Sequence, residues 1–360
     1  MKEIECVTEL QNTVRQIFED TKIIKIIDME TYPGDDSSPQ QKIQADFTVS
    51  VRAKGKKEYT LLFEVKSIGQ PRYVRMAANQ LQTLVSGGRN TYGVFGAPYL
   101  SEESIKICRQ AGIGCIDVAG NCLLEFDNVY ISIQGRPNPY PAKRALKSLF
   151  APKSTRALRV FLCNSRREWT LKELAKEANI SLGLASNIKK KLLDYEFIEE
   201  VTTKRGLRFR TLNPETLLQK WAENYAYRKN KLKSYYSFDQ PKEIEQNLAD
   251  YCKANRIRYA FTLTSGAALV APSLRYARVF AYIQDSLESI VQALNWKEVS
   301  SGQNVSILEP YDEGIFYGVQ DINGIKVVSD IQLYLDLQSY RGRGEEAAQF
   351  LLETHLRAQW

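Results

Sequence analysis

Hydrophobic and polar positions along this chain follow two periods, and the switches between them mark its elements. Val7 to Asp20 carries apolar side chains three and four apart, the spacing of one helix face. Ile23 to Met29, Ala45 to Val51, Tyr59 to Lys66, Tyr92 to Ala97 and Val129 to Gln134 are short apolar runs rich in β-branched and aromatic residues, the pattern of strands. Arg72 to Val85 and Ser101 to Ala111 return to helical spacing. Residues 1–141 therefore predict an α/β domain built on a mixed sheet.

The middle of the chain changes character. Arg156 to Cys163 predicts a first helix with Ala157, Leu158, Phe161 and Leu162 facing a core. Thr170 and Glu173 are spaced as a capping box, so a second helix starts there, with Leu171, Leu174, Ala175 and Ala178 inward. After the turn Ser181-Leu-Gly183 a third helix runs to about Tyr195. It sets Ala185, Ile188, Leu192 and Leu193 inward and Ser186, Asn187, Lys189 and Lys190 outward. Phe197 to Val201 and Leu207 to Thr211 are strand-like runs around the basic tip Thr-Thr-Lys-Arg-Gly206. Three helices followed by such a hairpin read as a winged helix, here residues 142–215.

Residues 216–360 mix both periods again. Tyr259 to Leu263, Val279 to Ile283, Val305 to Leu308 and Lys326 to Val328 predict strands. Pro241 to Ala254, Ser286 to Leu294 and Glu345 to Trp360 predict helices. Thr262 to Ala268 resembles a strand-to-helix turn; its sparse glycine suits helix packing better than a phosphate loop. This third region is expected to be an α/β partner or dimerisation domain, a homodimer being one form of that. The fold class is thus α/β multi-domain.

Charge sharpens the picture. The chain has 360 residues and a formal net charge of +7. Residues 152–211 hold fourteen Lys and Arg against seven Asp and Glu, which equals that whole excess. A positive field confined to one small module is the footprint of a polyanion-binding face. Asn187 and Ser186 fall where a recognition helix meets base edges, and Asn pairs bidentately with adenine. Lys189, Lys190, Lys204, Arg205 and Arg208 suit phosphates. Double-stranded DNA is the expected partner.

Composition excludes several classes. The six cysteines, Cys6, Cys108, Cys115, Cys122, Cys163 and Cys252, form no Cys-x-x-Cys pair and read as small buried hydrophobes. His355 is the only histidine, which argues against histidine-based catalysis, and it is expected on the surface of a terminal helix. No apolar run reaches the length of a transmembrane helix, and the first residues lack the apolar core of a signal peptide, so a cytoplasmic protein is expected.

One constellation carries chemistry. Asp46 lies on one strand and Glu64-Val-Lys66 on the next. Strand alternation puts Glu64 and Lys66 on a shared face, and Phe47, Val49 and Val51 on the face opposite Asp46. Two carboxylates can converge there on one hard cation such as Mg2+, while the lysine orients water or steadies charge on phosphorus. The pattern resembles the PD-(D/E)xK motif of restriction-endonuclease-like enzymes, with Asp46, Glu64 and Lys66 as catalytic candidates and Asp46 and Glu64 as metal ligands. The Gln-x-x-x-Tyr element of some nuclease branches is missing, since Gln80 is followed by Leu81 to Leu84 without a tyrosine.

Longer motifs extend the resemblance. They are Phe63-Glu-Val-Lys-Ser67, Asn79-Gln-Leu81, Ala97-Pro-Tyr-Leu100, Gly114-Cys-Ile-Asp-Val-Ala-Gly-Asn121, Leu308-Glu-Pro-Tyr-Asp312, Val328-Ser-Asp-Ile-Gln-Leu-Tyr-Leu-Asp336 and Gly342-Arg-Gly-Glu-Glu346. Together they resemble the AbiEi-type antitoxins, or transcriptional regulators, of type IV toxin–antitoxin systems. The resemblance implies a DNA-binding regulator of its own operon, a cognate toxin as partner, and a nuclease-like N-terminal domain. A metal-dependent DNA endonuclease targeted by the winged helix is the alternative. Asp117 to Asn121 reads independently as a tight turn after a strand, with Gly120 at positive φ and Asn121 bonding its own backbone.

Overall fold

The computed structural model describes residues 2–32, 45–53, 57–88, 90–139, 148–204, 206–270, 276–340 and 342–360. The chain divides into two compact units, Met1–Ala142 with Asp194–Glu196, and Lys143–Leu193 with Phe197–Trp360.

The first unit opens with α1 (Glu3–Thr21), followed by β1 (Ile24–Thr31), β2 (Phe47–Ala53) and β3 (Glu58–Val65). Next come α2 (Pro71–Val85), β4 (Thr91–Ala97), α3 (Glu102–Gln110), β5 (Gly114–Asp117), β6 (Cys122–Phe126) and β7 (Val129–Ile133). The seven strands lie side by side in sequence order. β3, β4 and β5 are parallel, joined by the crossover helices α2 and α3, and the outer strands are antiparallel. Parallel strands need such crossovers, which explains why helical spacing interrupts the chain only between β3 and β5.

Two cores sandwich the sheet. Cys6, Leu10, Val14, Ile17 and Phe18 of α1 pack with Phe47, Val49, Val51, Leu61, Phe63 and Val65. Val74, Ala77, Ala78 and Leu81 of α2 pack with Leu62, Phe95, Cys108 and Cys115 on the other face. Phe47 and Phe63 face each other across the β2–β3 ladder with ring centroids 4.2 Å apart. The strand alternation read from the sequence is therefore realised: Phe47, Val49 and Val51 share the α1 face.

The second unit begins with α4 (Pro152–Cys163), α5 (Leu171–Glu177) and α6 (Leu182–Asp194), then the antiparallel hairpin β8 (Ile198–Thr203) and β9 (Gly206–Thr211). Trp169 forms an isolated bridge to Phe209 beside the hairpin. Thr170 and Glu173 close the expected capping box.

The remainder holds α7 (Pro214–Ala222), β10 (Lys231–Tyr236), α8 (Pro241–Ala254), β11 (Arg258–Phe261), α9 (Leu263–Val270), β12 (Val279–Gln284) and α10 (Leu287–Ala293). After these come β13 (Lys297–Glu298), β14 (Val305–Glu309), β15 (Gln320–Ile322), β16 (Ile325–Val327), α11 (Asp330–Gln338) and α12 (Arg343–Leu351). The terminal helix expected over 345–360 continues as a π turn over Leu352–Leu356 and a last helical turn, α13 (Arg357–Gln359). The strands form a mixed sheet in the order β13-β10-β14-β12-β11-β16-β15. The four strands predicted from the sequence are its β11, β12, β14 and β16.

Three helices escape the sequence pattern, α7, α9 and α11. α11 buries every residue from Asp330 to Leu337, so it has no polar face to reveal its period. α9 starts at Leu263, where the sequence extends a strand; Leu263 takes φ 50° as the chain turns. The Thr262–Ala268 turn is a packing device. Ser265 Oγ accepts from the Phe280 N–H at 2.9 Å, and a Cβ at Gly266 would meet the Phe261 carbonyl oxygen at 3.1 Å.

Candidate functional site

Asp46 precedes β2, and its backbone N–H donates to the Phe63 carbonyl at 2.8 Å. The ladder pairs Phe47 with Phe63, so Asp46 falls opposite Glu64. Directly opposed antiparallel residues point to one side of the sheet, and their Cβ atoms lie about 5 Å apart. Asp46 Oδ2 accepts from the Val65 N–H at 2.6 Å. Glu64 is buried; one of its oxygens pairs with Lys66 Nζ at 2.5 Å and the other accepts from Gln80 Nε2 at 2.9 Å. Lys66 Nζ also lies 3.8 Å from Glu3 on α1. The three residues singled out in the sequence are thus gathered at one end of β2 and β3.

Burial pushes the Glu64 carboxyl above its usual range, partly opposed by Lys66, while Asp46 and Glu3 push the same way as burial. Burial works against the Lys66 charge, but the hydrogen bond and charge of Glu64 outweigh it and hold the ammonium above its ordinary value. Gln80 was singled out only for the tyrosine that does not follow it. Its role as a donor to Glu64 was hidden because helix spacing alone does not say which polar residue of α2 meets the sheet.

Among the described residues no group of three or more His, Cys, Asp or Glu is gathered to hold a metal. A divalent cation here would rest on Asp46 and Glu64 with water elsewhere, a donor set that suits Mg2+, which usually takes one or two carboxylates. Lys66 would have to give up part of its hold on Glu64.

Asp117 belongs to a different arrangement. It lies on β5, separated from β3 by β4. Its carboxylate accepts from the N–H of Leu100 and Asn121 and from Asn121 Nδ2, at 2.8–3.0 Å, and its burial is complete. Gly120 has φ +88° with the Arg136 guanidinium packed against it. Gly120 takes the positive φ of the tight-turn reading, but the Asn121 side chain bonds Asp117 and Arg136 in place of its own backbone, and the strand bearing Asp117 is not the neighbour of the Glu64 strand.

In the second unit, α6 presents an outward row. Ser181, Ser186, Asn187 and Lys190 are exposed while Ala185, Ile188 and Leu192 are buried. Its first turn carries no acid, and the Ser181 hydroxyl accepts from the Leu184 N–H. Lys190 and, at the hairpin tip, Lys204 are exposed, and no carboxylate among the described residues pairs with either. Arg205 lies outside the described residues.

Several cations of this module are engaged within the fold. Lys189 pairs with Glu200 at 2.8 Å and stands over the Phe209 ring. Arg208 donates to the Glu168 carbonyl at 3.2 Å and lies 3.4 Å from Glu173; Arg210 pairs with Glu199 at 2.7 Å. Arg156 grips Asp312 and Glu313, at 2.8 and 2.6 Å. Arg159 is fully buried, bonded to Gln332 and stacked on Trp221. Half-buried cations next to acids of their own fold serve that fold, and formal charge summed along a sequence does not separate them from free ones.

A buried polar network, missed in the sequence, centres on Asp336. Its carboxylate accepts from Tyr225, Tyr282, Gln332 and Thr262 at 2.5–3.0 Å. Burial pushes this acid up to about 6 despite those donors. Gln332 hands the chain of bonds on to Arg159 of α4. Both Gln332 and Asp336 fall in the Val328–Asp336 motif, and Asp312 in the Leu308–Asp312 motif.

Residues 210–357 match the family model AbiEi_2, described as "Transcriptional regulator, AbiEi antitoxin, Type IV TA system". No curated protein matches the chain. Among solved structures, a repair endonuclease from Pyrococcus abyssi is 20% identical over 31% of this chain and 45% of its own, with TM-score 0.21. EndoMS in apo form is 16% identical over 36% of this chain and 48% of its own, also with TM-score 0.21. The matches span a little under half the length of either structure. No helix among the described residues is long and apolar enough to cross a membrane.

Proposed function

We propose, from the match of residues 210–357 to the AbiEi antitoxin and transcriptional-regulator family model, that this protein is a DNA-binding regulator that reads duplex DNA through α6. The observation that carries the reading is the outward row of α6, Ser186, Asn187 and Lys190, exposed and free of acids in its first turn. The order of α4, the Trp169 bridge, α5, α6 and the β8–β9 hairpin is the order expected of a winged helix, in which the third helix enters the major groove. Asn187 and Ser186 then address base edges, while Lys190 and Lys204 address phosphates, as Arg205 would. The positive end of the α6 dipole adds to this, because nothing acidic offsets it. Lys189 and Arg208 serve by holding the hairpin against the helices. By the family, the regulated operon is its own, the further partner is a cognate toxin, and the setting is the cytoplasm. The C-terminal domain is the candidate surface for that toxin or for a second copy.

The test is binding of the full chain to a duplex carrying the promoter of its own operon against a scrambled duplex. Preference for the promoter by tenfold or more, lost in Asn187→Ala, supports the reading. Equal affinity for both duplexes in the wild type contradicts it.

A second reading rests on the cluster at the end of β2 and β3: a nuclease site of the PD-(D/E)xK kind. Asp46 and Glu64 would hold Mg2+, which when bound supplies Lewis-acid polarisation of a phosphate and an acidified water. Lys66 keeps a proton near Glu64, and Gln80 fixes the Glu64 carboxylate in the orientation it shows. Incubation of supercoiled and linear DNA with Mg2+ or Mn2+ decides it. Metal-dependent cutting lost in both Asp46→Ala and Lys66→Ala supports this reading, and intact DNA contradicts it.

A further inference from the structure

Away from α6 and from the Asp46–Glu64 cluster, the C-terminal domain carries a cavity of about 630 Å3 beside the end of α8, the start of β11 and the β15–β16 hairpin. Four cations line it, Lys253, Arg256, Arg258 and Lys326, against one acid, Asp321. Asp321 pairs with Lys326 at 2.8 Å. No carboxylate among the described residues pairs with Lys253, Arg256 or Arg258, and all three are exposed. The lining also includes the half-buried apolar side chains of Ile257 and Val319, beside the buried rings of Tyr259 and Phe316.

Two features set this cavity apart from ordinary surface charge. The Arg258 guanidinium lies 4.6 Å from the Phe316 ring centroid, which holds its plane while its N–H groups remain available as a fork for an anion. Arg256 follows α8 with φ 56°, a left-handed conformation that glycine or asparagine usually supplies after a helix.

We propose that this cavity binds a free nucleoside di- or triphosphate. Lys253, Arg256 and Arg258 take the phosphate oxygens, and the apolar wall takes the base. The volume lies within the roughly 300–1,000 Å3 of small-molecule sites, and such sites join an apolar lining to a few convergent polar groups. A strand of nucleic acid tracked along its backbone would need cations spread along a groove, not three around one concavity.

Calorimetric titration of the full chain with ADP, GTP, adenosine, tripolyphosphate and a short oligonucleotide tests this. The nucleotides bind, adenosine does not, and Arg258→Ala and Lys253→Ala each weaken nucleotide binding by about tenfold or more. Arg256→Gly weakens binding too, while its thermal midpoint stays level or rises, since glycine accepts the backbone conformation. Promoter-DNA affinity is unchanged in all three variants, which keeps this site separate from α6. Absence of nucleotide binding at millimolar concentration, equal affinity in the variants, tripolyphosphate binding as tight as the nucleotide, or a variant effect seen only with oligonucleotide or duplex overturns the proposal.

Discussion

Arg159 Nη2 donates to Gln332 Oε1 at 2.5 Å, and neither residue is exposed to solvent. The bond joins α4 to α11 within the second unit, and through Gln332 it reaches Asp336. A guanidinium counted as part of a DNA-binding charge is in fact a structural cation. Replacing Gln332 by Leu removes that acceptor, while Thr155 still accepts from the other guanidinium nitrogen. Chemical denaturation should show a loss on the order of 1–3 kcal/mol, the cost of removing one partner of a buried hydrogen bond to a charged group. A loss under about 1 kcal/mol would mean that Arg159 is satisfied without Gln332.

Asp336 should make stability depend on pH. Its folded-state value is raised from 3.8 to about 6, so the native protein holds a proton that the unfolded chain releases. Stability from this group is therefore fully present below about pH 4 and is lost as pH rises through about 6. Asp336→Asn removes the titration while retaining a side chain that still accepts. Denaturation curves at pH 4.5 and 7.5 should show the difference between variant and wild type shifting in the variant's favour at the higher pH. An unchanged difference would contradict the assignment.

Glu245 on α8 should behave alike at higher pH. It is buried, one carboxylate oxygen has no partner, and burial raises it to about 7 against the hydrogen bond from Tyr276. Glu245→Gln should gain stability relative to wild type between pH 5 and 8, by on the order of 2–3 kcal/mol. Thermal midpoints across that range would reveal it, and parallel curves would refute it.

Gly120 tests the turn that follows β5. It has φ +88°, and a Cβ there would fall 2.2 Å from Arg136 Nη1. Gly120→Ala should cost about 1 kcal/mol or more from the backbone alone. The Asp117 bonds to Asn121 should loosen with it, which amide exchange at Asn121 would report. Full protection of that amide in the variant would show that the turn tolerates a side chain.

The sequence made the elements legible where one face is buried and the other wet. α1, α2, α3 and α8 announced themselves by apolar spacing, and the capping box fixed the start of α5. It hid α11, whose uniform burial leaves no period, whereas the hairpin turn between the very short β15 and β16 is signalled by the Asn323-Gly324 dipeptide itself. Asp46, Glu64 and Lys66 were legible because strand alternation and one ladder register suffice to bring them together. The Asp336 network was not, because its members come from the junction of β11 and α9, from β12, from α11 and from the segment after α7, and only tertiary packing collects them. Charge was legible in amount but not in disposition: Arg156, Arg159, Lys189, Arg208 and Arg210 look like Lys190 and Lys204 until their partners are seen.

That distinction supplies the most direct test of DNA reading by α6. The dependence of promoter-duplex affinity on salt concentration counts the phosphates neutralised. Lys190→Ala and Lys204→Ala should each reduce the log–log slope by about 1, while Arg210→Ala, whose cation is spent on Glu199, should leave it unchanged. A slope unaltered by Lys190→Ala and Lys204→Ala together would contradict the account.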